Sequence, residues 1–129
     1  MRTAARSSTG LTQRLSKGVG WVSLGLGIAM TLDPRRSADV LGWADREGLT
    51  RFAGAVDLIL GAGILLGRRR APWMLARALL NAAIGLVYVR VLAEGDPRSK
   101  GPAAGIGLMA ALTLFDYSLS RRLRRAEKD

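Results

Sequence analysis

The stretch "FAGAVDLILGAGILL", residues 52–66, is apolar at every position except Asp57. A helix on the surface of a soluble domain carries polar residues along the face that meets water, and this stretch has no such face. Because the chain has only 129 residues, one domain's worth, we interpret the stretch as part of a membrane span rather than of a large soluble core. A carboxylate at the centre of a bilayer costs about 2.5 to 3.5 kcal/mol on insertion scales. We therefore expect Asp57 to face neighbouring helices and not lipid.

Three further apolar runs accompany this one, and short charged segments with proline or glycine separate them, such as "LDPRRS", "GRRRAPW" and "EGDPRSKGP". A helix needs about 20 mainly apolar residues to cross the hydrocarbon. The pattern predicts an all-α fold, an integral membrane antiparallel four-helix bundle over residues 11–120. The predicted spans cover about residues 15–32, 48–67, 71–93 and 102–120. Residues 1–10 are predicted to be a disordered basic N-terminus, and residues 121–129 a basic cytoplasmic tail.

The segment "DPRRSADVLGWADREG" between the first two spans is too polar to cross a membrane. Ser37 is a suitable N-cap for a short helix in it, since its hydroxyl can accept from the first free backbone N–H groups. Val40, Leu41 and Trp43 would then lie flat at the level of the lipid headgroups. The alternative is an ordinary loop whose Trp43 packs on the bundle.

The composition limits the chemistry available to the chain. It has no cysteine and no histidine, which excludes disulfides, zinc or haem ligation by these residues, and histidine bases. No nucleophile with a base and no phosphate-binding glycine loop is found, so we predict a protein that is not an enzyme and has no cofactor or metal site. The net charge of +10 allows a soluble basic nucleic-acid-binding protein as an alternative. We disfavour nucleic acid as a partner, because the few aromatic residues lie in or beside the apolar runs.

The basic residues are unevenly distributed over the two predicted sides of the membrane. Twelve of the twenty Lys and Arg fall on the side that holds both ends of the chain and residues 68–70, and seven on the other side. Cytoplasmic loops carry the excess of Lys and Arg. We therefore predict a multi-pass protein of the bacterial inner membrane with both termini cytoplasmic. Its expected partners are membrane lipids, further copies of itself in a homo-oligomer, or another membrane protein.

Among the polar residues within the predicted spans, four are expected to form an intramembrane polar cluster: Asp57, Arg77, Asn81 and Asp116. In a hairpin that turns near Arg69, residues equally far from the turn share a depth in the membrane. Asp57 is then level with Asn81, and Arg77 lies about one turn nearer the cytoplasm, at a depth similar to that of Asp116. We favour pairs of Asp57 with Asn81 and of Arg77 with Asp116, and a direct pair of Asp57 with Arg77 is the second choice.

Two functions are possible for this intramembrane polar cluster. In the first, the cluster fixes the packing of the helices, and the protein is a non-enzymatic membrane component. In the second, Asp57 serves a small proton- or solute-coupled transporter. The arginine available to offset the carboxylate favours the first.

Small residues also recur one helical turn apart within the spans. Close packing holds helices together in lipid, and small residues permit it. The predicted packing positions are Ser23 and Gly27, Gly63 and Gly67, and Ala103, Gly107 and Ala111.

The stretch "RFAGAVDLILGAGILLGRRRAPWMLARALLNAAIGL", residues 51–86, resembles a family of small bacterial four-helix membrane proteins. Related segments precede cyclase/dehydrase-like START domains, and DoxX-like proteins share the general architecture. The family pattern G-x-R-E-x-x-x-G corresponds to Gly54, Val56, Asp57 and Gly61. A tract like "APWLWARVAGD" corresponds to Ala71, Pro72, Trp73, Ala76, Arg77 and Asn81. The segment "PRRSADVLGW" and the late Asp116 are similar to family features.

Two positions depart from that pattern, since Val56 replaces the usual arginine and Asn81 the usual acid. Both departures remove charge, so a site that needed these groups would be altered here. The family has no established activity. The resemblance therefore implies a fold of four membrane helices and no particular reaction.

Overall fold

The computed structural model describes residues 2–43, 45–95 and 101–128, with side chains from Thr9 onward. Within these ranges the backbone is almost entirely helical and contains no strand. The all-α fold class predicted from the sequence is confirmed. The helices are α1 (Arg2–Leu32), α2 (Pro34–Leu41), α3 (Glu47–Leu66), α4 (Ala71–Glu94) and α5 (Pro102–Ala126).

Four of these helices are long and apolar enough to cross a membrane. The candidate spans are Thr9–Leu32, Glu47–Leu66, Ala71–Glu94 and Pro102–Ala126. Large apolar side chains such as Trp21, Phe52, Leu86 and Leu114 are about two-thirds exposed on the outside of the bundle. An exterior that is apolar along most of the length of the helices is typical of a protein whose solvent is lipid.

Helices α1 and α5 are longer than predicted. Helix α1 begins at Arg2, so the described residues of the segment predicted as disordered are helical. Helix α5 continues to Ala126 through most of the predicted basic tail. Both extensions are rich in alanine and arginine, which are strong helix formers, and contain no proline. Between α4 and α5 the predicted break covers residues 94–102, of which residues 96–100 lie outside the described residues.

The short helix predicted between the first two spans is present as α2, but Ser37 is not its N-cap. Asp33 takes that role, since its Oδ1 accepts from the backbone N–H of Arg36 at 3.2 Å. Pro34 follows it at the first helical position, where a missing N–H costs nothing and the fixed φ suits the helix. Ser37 lies inside the helix and donates to the carbonyl of Ala29 at 3.2 Å.

Helix α2 packs on the bundle through its buried residues Pro34 and Ala38 and through the residues that follow it. It ends at Gly42, whose φ of 70° lies in the left-handed region that glycine adopts at no steric cost. Trp43 is 1% exposed and meets the ring of Tyr88 edge-on, with 5.8 Å between the centroids. The Tyr88 hydroxyl donates to the carbonyl of Leu41 at 2.9 Å. Val40 is 81% exposed on the opposite face, and its position in the headgroup region stays a prediction.

The four spans form two closely packed antiparallel pairs, α1 with α3 and α4 with α5, and the pairs contact each other less extensively. The first pair meets along a seam of glycines, Gly20 and Gly27 on α1 and Gly54 and Gly61 on α3. A Cβ added at Gly27 would lie 2.7 Å from the Gly54 carbonyl oxygen, and one at Gly61 would lie 2.9 Å from that of Gly20. The two backbones are therefore in direct contact, which only glycine permits.

The remaining small residues have different outcomes. Gly63 and Gly67 border the ring of Trp73, which would clash with a Cβ at either position. The stripe of small residues predicted as the packing face of the fourth span lies instead on the exposed face of α5. Its residues are Ala103, Gly107 and Ala111. The helix packs through Gly105, against which Tyr88 lies. The prediction failed because alanine and glycine are abundant on both faces of α5, so spacing alone does not identify the packed face.

The buried core has two apolar regions, one at each end of the bundle. The α2-side cluster consists of Met30, Ala38, Trp43, Ala53, Tyr88 and Met109. The turn-side cluster, near the connection between α3 and α4, consists of Ile64, Ala71, Met74, Leu119 and Leu123. On α3, α4 and α5 alike, the residues that lie between the two clusters in sequence include buried polar side chains.

Candidate functional site

Each of the four spans contributes at least one polar side chain to the zone between the apolar clusters. All of these side chains belong to residues that are at most 8% exposed. We call them the polar cluster: Ser23 of α1, Asp57 of α3, Arg77 and Asn81 of α4, and Asp116 of α5. Charged groups buried in this way persist only when they find partners within the protein.

Arg77 is the centre of the polar cluster. Its Nη1 donates to Asp116 Oδ2 at 2.5 Å, and its Nε donates to the Ser23 hydroxyl at 2.5 Å. The same Nε lies 3.8 Å from Asp57 Oδ1. A guanidinium presents several N–H donors in one plane, so a single side chain can contact three helices at once.

Asn81 follows Arg77 by one helical turn and so projects from the same face of α4. Its Nδ2 donates to Asp116 Oδ2 at 2.6 Å, so this carboxylate oxygen accepts from two side chains of α4. The other oxygen, Asp116 Oδ1, is buried and has no hydrogen-bond partner among the described residues. Buried polar atoms are usually paired, so this oxygen is an unused hydrogen-bond acceptor.

Of the pairs predicted from the sequence, Arg77 with Asp116 is present, and Asp57 with Asn81 is not. Asn81 turns to α5 because α4 packs mainly against α5 and only lightly against α3. Equal depth in a hairpin does not make two residues face each other. The closest charged partner of Asp57 is Arg77, the second choice made from the sequence.

Ser23 was predicted as a packing residue, and its role as a hydrogen-bond partner was missed. The glycine seam explains its position, since Gly20 and Gly27 flank it on α1 as Gly54 and Gly61 flank Asp57 on α3. The equal spacing of seven residues between these glycines was available in the sequence. Aligning the two pairs in antiparallel order would have placed Ser23 beside Asp57.

The polar cluster has an unbalanced charge. Two carboxylates, Asp57 and Asp116, share one guanidinium, so the fully ionised cluster carries one negative charge in excess. No group of three or more metal-ligating side chains of His, Cys, Asp or Glu occurs among the residues that the structure describes. The arrangement is chemically suited to joining helices through charged hydrogen bonds, and to accepting one proton or small cation.

The apolar exterior, the four spans and the charged interior together define a multi-pass membrane protein of the all-α class. Comparison of the chain with family models, with curated proteins and with solved structures gives no match. The resemblance of residues 51–86 to small bacterial four-helix membrane proteins therefore stays a prediction.

Proposed function

We propose that the protein is a non-enzymatic component of the bacterial inner membrane, in which the polar cluster fixes the two helix pairs against each other. One observation carries the proposal. Arg77 on α4 reaches polar groups of α1, α3 and α5, so one side chain connects the pair α1 and α3 to the pair α4 and α5.

The weak packing between the pairs supports this role. Tight contact joins α1 to α3 and α4 to α5, whereas contacts between the pairs are sparse. In lipid, no hydrophobic force drives two apolar helix pairs together. Charged hydrogen bonds across the gap supply a specific attraction, and a separated pair would leave its charges unpaired in hydrocarbon.

The variant Arg77→Met tests the proposal, because it removes the connecting side chain and leaves two buried carboxylates. Removing one partner of a buried ion pair costs about 3–5 kcal/mol, and we expect a loss of that size in the free energy of unfolding in detergent micelles. The matched control is Arg90→Met on the same helix, whose side chain is 83% exposed. We expect the control to unfold like the wild type.

A second variant separates the effect of charge from that of shape. Adding Asp57→Asn and Asp116→Asn to Arg77→Met removes the orphaned charges, and we expect it to restore part of the lost stability. The proposal fails if Arg77→Met and Arg90→Met have the same free energy of unfolding.

The position of both termini in the cytoplasm is part of the proposal. Four spans place the two ends of the chain on one side, and the distribution of Lys and Arg favours the cytoplasm. Contact between Glu127 and the backbone N–H of Arg70 at 2.7 Å supports the same side for the α3–α4 turn. Fusions of a fluorescent protein and of a periplasm-dependent phosphatase to either end test this orientation, and phosphatase activity at either end would contradict it.

A small proton- or solute-coupled transporter using Asp57 is the second candidate. The excess negative charge of the polar cluster and the unpaired Asp116 Oδ1 favour it, because both would be satisfied by a proton or a cation. The test uses vesicles with a pH-sensitive dye inside and an imposed pH gradient. Proton flux that is lost in Asp57→Asn but kept in Asp39→Asn, an exposed acid of α2, supports transport. Equal flux in all three proteins, or none in the wild type, contradicts it.

The soluble nucleic-acid-binding alternative gains no support from the fold. The exterior of the bundle along the spans is largely apolar, whereas a nucleic-acid-binding face is basic and interleaved with aromatic residues.

A further inference from the structure

A cavity of about 560 Å³ opens beside the C-terminal turns of α5. Four cations line it, and none of the described residues in its wall is acidic. We call it the basic pocket, and its defining residues are Leu75, Tyr117, Arg121, Arg124, Arg125 and Lys128.

The basic pocket changes character along its length. Leu75 and the ring of Tyr117 form its inner part, toward the middle of the membrane. The arginines follow on α5 from Arg121 to Arg125, which spans about 6 Å at 1.5 Å per residue. Lys128 lies just beyond the end of the helix. The Arg121 guanidinium carbon lies 6.0 Å from the centroid of the Tyr117 ring, so a cation marks the boundary of the two parts. A ligand of this pocket therefore has an apolar portion and a strongly anionic head.

The cations of the basic pocket form no ion pair among the described residues. Glu127 lies on the same helical turns, but its Oε1 accepts from the backbone N–H groups of Arg70 and Ala71, and it lines a different cavity. Basic residues at a helix C-terminus stabilise the helix dipole, yet that effect is confined to the last turn and requires no cavity. Four unpaired cations around one cavity fit a ligand with more than one negative charge.

We propose that the basic pocket binds the headgroup of an anionic phospholipid that carries two phosphates, as cardiolipin does. The phosphates lie among the four cations, and the acyl chains leave past Tyr117 and Leu75 along the apolar surface of the bundle. Basic pockets between membrane helices at the cytoplasmic side have the chemistry for such headgroups. The inference rests on the membrane location proposed above, and it is independent of the role of the polar cluster.

The test is native mass spectrometry of the whole chain released from detergent micelles, with titrated cardiolipin, phosphatidylcholine or inorganic phosphate. We expect one cardiolipin to be retained per chain and neither other probe to compete at equal concentration. The variant Arg121→Gln with Arg125→Gln should bind cardiolipin roughly 30-fold more weakly, which corresponds to about 1 kcal/mol for each charge removed.

The matched control is Arg69→Gln with Arg122→Gln, which removes two charges from the same end of the bundle but from outside the basic pocket. We expect it to bind cardiolipin as the wild type does. The pair Arg121→Lys with Arg125→Lys keeps the charge and should retain most of the affinity, which separates lost binding from failed folding.

Three results would overturn the proposal. In the first, the control and pocket variants lose cardiolipin binding to the same extent. In the second, inorganic phosphate is retained as strongly as cardiolipin. In the third, the protein shows no preference for cardiolipin over phosphatidylcholine. We expect polar-cluster variants that have lost proton flux or some stability, but that remain folded in micelles, to bind cardiolipin as the wild type does, so the two proposals can fail separately.

Discussion

Gly27→Ala is the substitution for which the structure predicts the clearest effect on the packing of α1 against α3. A Cβ at this position would lie 2.7 Å from the Gly54 carbonyl oxygen, 2.7 Å from Leu58 Cγ and 2.8 Å from the Leu58 backbone nitrogen. Two of these three atoms belong to the backbone of α3, so a change of side-chain rotamer cannot relieve the clash. The helices must move apart.

The size of the effect follows from these distances. Ordinary contacts of a Cβ begin at 3.4 Å, so the two helices must separate locally by about 0.7 Å. Forcing extra atoms into a well-packed core typically costs about 1–3 kcal/mol. Alanine also has a helix propensity better than that of glycine by up to about 1 kcal/mol, which acts in the opposite direction.

Comparison with Gly25→Ala on the same helix removes the contribution of helix propensity, because both variants replace glycine with alanine. A Cβ at Gly25 would meet nothing within 4 Å, so this variant gains the propensity without the clash. We expect Gly27→Ala to be less stable than Gly25→Ala by about 1–3 kcal/mol. Unfolding in mixed micelles of a mild detergent and dodecyl sulfate, followed by circular dichroism, measures the difference. Equal unfolding curves for the two alanine variants would refute the close approach of α1 and α3.

Three further substitutions test single hydrogen bonds by the same unfolding assay or by hydrogen exchange. Tyr88→Phe removes the donor to the Leu41 carbonyl and should cost about 1 kcal/mol, since a partner of a buried hydrogen bond is lost. Glu127→Ala removes the carboxylate that accepts from the N–H of Ala71 at the start of α4, and should cost about 1 kcal/mol, as loss of a cap does. Asp33→Ala removes the N-cap of α2 and should speed amide exchange within residues 34–41 while the four spans stay protected.

Exposed residues outside these hydrogen bonds serve as controls for the three variants. Tyr117→Phe, Arg122→Ala and Asp39→Ala each change a residue on the surface of the bundle. Substitutions of this kind usually alter stability by no more than about 0.5 kcal/mol. A control that destabilises as much as its test variant would show that the hydrogen bond is not the cause.

The spans could be predicted from the sequence because their signal is length and composition. A run such as residues 52–66 is apolar on every side, and flanking proline and glycine mark its ends. The pair of Arg77 with Asp116 was also predictable, since counting residues from the turn gives the depth of each.

The choice of neighbours could not be predicted in the same way. A helix that is apolar all round carries little periodic signal to show which face meets which partner. Asn81 was therefore assigned to Asp57 by depth, whereas the packing of α4 on α5 turns it to Asp116. The glycine pattern held the missing information for α1 and α3, because glycines seven residues apart occur on both helices.

The helix ends were predictable only where a residue leaves no alternative. Pro34 can follow an N-cap but cannot lie inside a helix without loss of a hydrogen bond. It therefore locates the start of α2 better than Ser37, which is a suitable N-cap by residue type alone. The basic segments at the start of α1 and at the end of α5 were predicted to lie outside the helices because of their charge. Arginine is compatible with both helix and disorder, and here the helices continue.

The division of the bundle into two pairs has a consequence for how the chain assembles after synthesis. Each half of the polypeptide, cut at the turn between α3 and α4, contains a complete hairpin with its own contact surface. Asp57 and Ser23 belong to the first half and Arg77 to the second, so the arginine meets them only when the halves dock. Two fragments produced from separate genes should therefore recognise each other in the bilayer through one buried cation.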